Sequence, residues 1–178
     1  MIFTKTPTTD CGCSTYANSN TVCPNCNRQG ININGITIKS QLKKELFNEM
    51  KSSIDNFNFC TNVKCDTVYY SCDSNEIFFQ KDIKSKVTIK NDNPKTPLCY
   101  CRKLLKENVI KMINDGKEDI AAKVKSILSE GKSFCEKSNP KGVCCTEDIK
   151  DFLSQFDISW DKPKKGMFSI NPPKSSCC

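Results

Sequence analysis

The 178 residues suffice for one domain or two small ones, and 37% hydrophobic with 26% charged content describes a lean globular chain with a limited apolar core. Fourteen cysteines and no histidine leave ordinary acid–base catalysis little to work with, exclude a Rieske-type site, and raise the choice between all-thiolate metal sites and disulfides. The formal charge of +7 is carried almost entirely by Lys, with Arg only at Arg28 and Arg102, which argues against specific nucleic-acid recognition because base-edge readout favours bidentate Arg.

In chain order, residues 1–22 are rich in Thr, Ser and Asn and read as a loose arm carrying Cys11-Gly-Cys13. Cys23-Pro-Asn-Cys26 has the spacing of a metal knuckle, in which two thiols chelate one ion while nearby amides point at the sulfurs. Apolar and polar residues alternate from Ile31 to Ile38, which predicts a strand. Ser40 is placed to cap a helix running to about Lys51, with Leu42, Leu46, Phe47 and Met50 on one face. Phe59-Cys60 leads to Cys65, then Asp66–Ser71 reads as a strand, Ser74-Asn75 as a turn, and Ile77–Gln80 as the returning arm of a hairpin. Val87–Ile89 reads as a further short strand. Residues 23–90 are thereby expected to form a small sheet with one helix, clamped by zinc on Cys23, Cys26, Cys60 and Cys65, since a closed tetrahedral Cys₄ set is a usual structural zinc arrangement.

Residues 91–97 have the composition of a linker. A helical module is expected over 98–156. Pro97-Leu-Cys99-Tyr-Cys101 precedes amphipathic segments at 103–114 and 118–129, Cys135 follows, and the loop Ser138-Asn-Pro140-Lys-Gly142 delivers Cys144 and Cys145. Thr146 is expected to cap a last helix with an acidic first turn, Glu147 and Asp148. Residues 157–178 read as a tail ending Cys177-Cys178. The fold class expected is α+β.

Metal ligation is favoured over disulfides. Residues 1–5 lack the basic start and apolar run of a secretory signal, which points to the cytoplasm, and no apolar run approaches the ~20 residues of a membrane span. Four thiolates drawn from Cys99, Cys101, Cys135 and the Cys144–Cys145 pair suit a [2Fe–2S] cluster, with Cys99 and Cys101 expected on one iron and the later residues on the other; a second structural zinc is the plainer alternative. Eight bound thiolates would subtract eight charges and one Zn²⁺ with one oxidised cluster core would restore four, leaving about +3 of the formal +7. Cys11 with Cys13, and Cys177 with Cys178, are candidate ligands for a soft ion such as Cu(I), Hg(II) or As(III).

Cys99-Tyr-Cys101, 33 intervening residues, Cys135, nine more, then Cys145 resembles the [2Fe–2S] region of the N-terminal domain of the CopZ copper chaperones, and more distantly the bacterioferritin-associated ferredoxins. The resemblance extends upstream through Cys23-Pro-Asn-Cys26, Phe59-Cys60, Cys65 and Val68-Tyr-Tyr70, covering roughly residues 22–156. It implies Cys99, Cys101, Cys135 and Cys145 as cluster ligands, with Cys144 the alternative to Cys145, and it implies reduction of Cu(II) to Cu(I). The function expected is a cytoplasmic, copper chaperone-like metal-handling redox protein, its [2Fe–2S] cluster transferring single electrons as a metal-ion reductase could and its thiols holding soft ions, with copper as the metal partner and a metal transporter or redox protein as a further partner. A ferredoxin-like carrier with no metal substrate is the alternative. The chaperones continue into a domain with a Met-x-Cys-x-x-Cys loop; here Gly166-Met-Phe168 is followed only by the terminal pair, which looks like the capture pair of mercuric reductase.

Overall fold

The computed structural model describes residues 21–71 and 73–161. It is α+β, as expected, and has two apolar cores, each built next to a group of cysteines.

The N-terminal part is a four-stranded antiparallel sheet in the order β1 (Ile31–Asn32), β2 (Phe57–Phe59), β3 (Thr67–Ser71), β4 (Ile77–Phe79). Strand β3 is buried along its whole length, as befits a central strand rich in β-branched and aromatic residues. Two helices, α1 (Gly35–Gln41) and α2 (Lys44–Glu49), lie between β1 and β2. Here the sequence pattern misleads. The alternation from Ile31 to Ile38 ends at Asn34, whose side-chain oxygen accepts from the Ile36 amide at 2.8 Å and caps α1. Ile38 and Leu42, one helical turn apart, are then both fully buried. The helix expected from Ser40 to Lys51 is broken because Leu42 is extended, bridges Ile83, and the Lys43 amide donates to Asp82 O at 3.0 Å. Val87–Ile89 is not a strand. The Thr88 amide and hydroxyl are taken by the Tyr100 hydroxyl (3.0 Å) and Pro97 O (2.6 Å), and residues 88–90 form a 3-10 turn.

Tyr69 is fully buried and its hydroxyl donates to Pro140 O at 2.7 Å. Burial pushes this phenol well above its ordinary value of 10. Since the folded-state pKa is raised, the stability concerned is fully present below pH 10 and lost as pH climbs towards the folded value. We expect the unfolding free energy of the wild type, from urea titrations, to fall above pH 10 with a slope of up to about 1.4 kcal/mol per pH unit, and Tyr69→Phe to remove that part of the fall.

The segment 91–97 is not a free linker but is tied to the hairpin and helix on its C-terminal side. Thr96 is fully buried, and the Pro94 and Thr96 carbonyls accept the Glu107 and Lys106 amides at 2.8 and 3.0 Å. Strand β5 (Pro97–Cys99) pairs with β6 (Leu104–Leu105) in a hairpin that sequence periodicity does not reveal, its turn closed by Lys103 at φ 52°. The expected 103–114 helix consequently begins later, as α3 (Lys106–Asn114). Helix α4 (Ile120–Ser129) is capped by the Asp119 carboxylate, a single turn α5 (Cys135–Ser138) comes next, and α6 (Thr146–Ser154) closes the second core with Ile149, Phe152 and Leu153. Cys145, not Thr146, holds the N-cap position of α6. Among the described residues no helix is long and apolar enough to cross a membrane.

Candidate metal centres

The first cysteine group sits where the sheet meets two tight turns. Cys23 and Cys26 lie on one of them, with Asn27 N donating to Cys23 O (2.8 Å), Cys23 N to Arg28 O (2.9 Å), and Asn27 itself in the left-handed region at φ 54°. Cys60 follows β2, its amide bonded to Val68 O at 2.9 Å. Cys65 closes a second turn on Asn62 O at 3.2 Å. The four Sγ atoms all lie within 4.8 Å of one another, with Cys26–Cys60 at 3.6 Å and Cys23–Cys65 at 4.0 Å. A tetrahedral ion with Zn–S of about 2.3 Å spaces neighbouring sulfurs about 3.8 Å apart, so this donor set fits zinc in both chemistry and size. Cys23 and Cys60 are fully buried beneath Tyr70, and Gly30 lets that tyrosine approach: a Cβ at Gly30 would fall 2.1 Å from the Tyr70 hydroxyl.

Electrostatics favour a cation here. Burial pushes the Cys60 thiol up to about 12, the Asn62 amide and the Lys90 ammonium opposing it, and burial also raises Cys23. At Cys26 burial acts upward but is outweighed by the Arg28 amide, the Asn62 side chain and the neighbouring thiols, which bring it down to about 6. One sulfur thus ionises at the others' expense, and a divalent ion is what allows all four to do so.

The second group draws on three elements. Cys99 ends β5, Cys101 lies in the following turn, Cys135 opens α5, and Cys145 caps α6. Cys99 and Cys145 are nearly fully buried in the same apolar core. Cys101 and Cys135 are half-buried with their sulfurs 3.6 Å apart. Cys101 thus meets Cys135 across elements. The tyrosine between Cys99 and Cys101 is anchored, its hydroxyl donating to Lys86 O at 2.7 Å and accepting from Thr88, and the turn beyond it leaves Cys101 half-buried against the second core. Among the described residues only the first group has four ligand atoms mutually within 4.8 Å. In the second, the Cys101 and Cys135 sulfurs meet at the edge of the core that buries Cys99 and Cys145.

Side chains and amides that no motif announced surround this second group. The Phe134 amide donates to Cys101 Sγ at 3.3 Å, and Ser138 Oγ lies 3.1 Å from the same sulfur. The neighbouring Cys145 thiol, opposed by burial and aided by Arg102, brings Cys99 down to about 6, while burial and Cys101 push Cys135 up to about 12. Cys144 is exposed, beside Cys135, and its sulfur is 3.0 Å from the Thr146 hydroxyl, which with the Thr146 amide lowers its pKa against burial. The nine described cysteines are all free thiols. Cys11, Cys13, Cys72, Cys177 and Cys178 lie outside the described residues.

Residues 20–84 match the zinc binding domain of the CopZ family. The chain is 28% identical over 125 residues to the copper chaperone CopZ of Archaeoglobus fulgidus, an alignment covering 69% of this chain and 57% of that protein. The X-ray structure of the N-terminal domain of that CopZ superposes with a TM-score of 0.61 at 24% identity, covering 77% of this chain and 98% of the domain. The chain resembles the N-terminal domain of CopZ. At this identity the structural likeness establishes the fold, and the chain spans a little over half the length of the curated CopZ. The matched 20–84 span contains all four cysteines of the first group. The chain thus has a copper chaperone-like, metal-binding domain with a cysteine cluster.

Proposed function

We propose that the protein is a CopZ-like metal-handling redox protein, with structural zinc on Cys23, Cys26, Cys60 and Cys65 and a [2Fe–2S] cluster on Cys99, Cys101, Cys135 and Cys145. The observation that carries this reading is that the second group is spread out, with the Cys101 and Cys135 sulfurs 3.6 Å apart at the edge of the core that buries Cys99 and Cys145. A binuclear core with two thiolates per iron asks for such a spread, whereas a single zinc ion asks for the compact tetrahedron found at the first group. The chemistry an all-cysteine [2Fe–2S] cluster supplies when bound is transfer of one electron, here to Cu(II), so that Cu(I) forms as the reduced cluster returns to its oxidised state.

The chain's own residues set the conditions. Cys99 and Cys145 lie in the second core, where Leu98, Val109 and Ile149 exclude water. Cys101 and Cys135 stand at its edge, giving an electron a short way out. The Phe134 amide donates to Cys101 Sγ and stabilises negative charge there, which favours the reduced state and raises the potential. The exposed thiol of Cys144 is available to a soft ion next to this edge, and Cys11, Cys13, Cys177 and Cys178 are proposed as further thiolate ligands for Cu(I). Free thiols throughout the described residues fit work in a reducing compartment, the cytoplasm.

The test is an anaerobic titration. Protein reduced with dithionite and desalted is expected to recover its oxidised visible spectrum with one Cu(II) per chain, the Cu(I) being captured by a Cu(I)-specific chelator. A reduced spectrum untouched by Cu(II) would leave the protein an electron carrier without a metal substrate.

A further inference from the structure

We propose that the N-terminal sheet module is the positioning element of the second cysteine group, acting through Thr37, Gln41 and Tyr69. The inference deepens, and rests on, the reading of that group as a cluster site. Helix α5, which carries Cys135, is a single turn with no buried residue of its own. So short a helix is not stable unaided, and it has no apolar anchor to fix it. Its carbonyls are held instead from the other module. Thr37 Oγ1 donates to Glu136 O at 2.7 Å and Gln41 Nε2 to Lys137 O at 2.6 Å, both from α1; Tyr69 in β3 donates to Pro140 O at 2.7 Å.

Glu136 O and Lys137 O are end-of-helix acceptors that α5 cannot satisfy internally, Pro140 O lies in the loop just beyond it, and all three donors are at most 3% exposed. Gln41 is held for its N–H alone, since its Oε1 is buried without a partner. The loop beyond α5 is pressed onto the same helix: a Cβ on Gly142 would lie 2.6 Å from Thr37 Oγ1. Cys99 and Cys101, by contrast, belong to the β5–β6 hairpin and the second core. The 3.6 Å separation of Cys101 and Cys135 is therefore set where α5, held on α1, meets the β5–β6 hairpin, and directional hydrogen bonds fix the register of α5, which has no buried side chain of its own.

The decisive measurement uses zinc-loaded, iron-free full-length protein and a short bifunctional thiol reagent, dibromobimane, with the Cys101–Cys135 cross-link located by peptide mapping. The T37V/Q41L variant is expected to keep its zinc and to cross-link these two cysteines at least about fivefold more slowly, the population change that one hydrogen bond carries. Thr37→Ser, which keeps the hydroxyl, is expected to cross-link at the wild-type rate. On reconstitution, T37V/Q41L is expected to bind several-fold less iron and sulfide. A wild-type cross-linking rate in zinc-replete T37V/Q41L overturns the proposal. If that variant loses zinc or its circular dichroism, Tyr69→Phe is read in the same way, and a wild-type rate there overturns it too. Should the wild type itself take up no iron, the cluster assignment falls while the cross-linking rates still decide the positioning role.

Discussion

Cys60→Ser is expected to cost the protein its zinc and, with it, the fold of the N-terminal sheet. Cys60 is fully buried at the end of β2, bonded through its amide to Val68 O and packed against Tyr70, so its sulfur joins two strands as well as two turns. Structural zinc contributes apparent free energies of about 10–16 kcal/mol in small zinc modules, and the whole stability of a domain is about 5–15 kcal/mol. The aromatic core of Phe57, Phe59 and Tyr69 is too small to replace that contribution. The expected result is a fall from one zinc per chain to nearly none, together with loss of cooperative unfolding and of near-ultraviolet circular dichroism. Because α5 hangs on Thr37, Gln41 and Tyr69, the second site should fail as well. A variant that still unfolds cooperatively without metal would show that the core alone suffices.

Cys135→Ala is expected to do the opposite: the zinc stays and the colour goes. The substituted side chain is half-buried on a helix with no core residues, so the sheet module should be little affected. Removing the hydrogen-bond partners of a metal ligand already costs about 10–100-fold in affinity, so losing the ligand itself should lower bound iron by more than about tenfold. Zinc should remain at one per chain and the thermal unfolding of the N-terminal module should be unchanged. Cys144→Ala, made alongside it, should keep the iron, because Cys145 is the thiol buried with Cys99 in the second core.

Local chemistry dictates the part of the structure that is legible in the sequence. The buried run Val68-Tyr-Tyr70, the return through Ile77, and α3, α4 and α6 follow from periodicity, with ends displaced by a few residues. Cys23, Cys26, Cys60 and Cys65 lie on short turns whose spacing alone brings pairs of thiols together. The illegible part depends on partners distant in the chain. Asn34 turns an alternating pattern into a capped helix, and Leu42 interrupts a helical pattern because Ile83 pairs with it. The β5–β6 hairpin hides in a run with a positive φ at lysine, and α5 exists because three donors far away in sequence take its carbonyls and that of Pro140 just beyond it. Neither the meeting of Cys101 with Cys135 nor the anchoring of Tyr100 is encoded in cysteine spacing.

Metal and acid-labile sulfide analysis of anaerobically purified protein, combined with its visible spectrum, bears most directly on the division of the cysteines into one inert and one redox-active centre. The expected result is one zinc, two irons and two sulfides per chain, with absorption between about 400 and 600 nm that bleaches on one-electron reduction. A colourless protein with two zincs and no sulfide would contradict it.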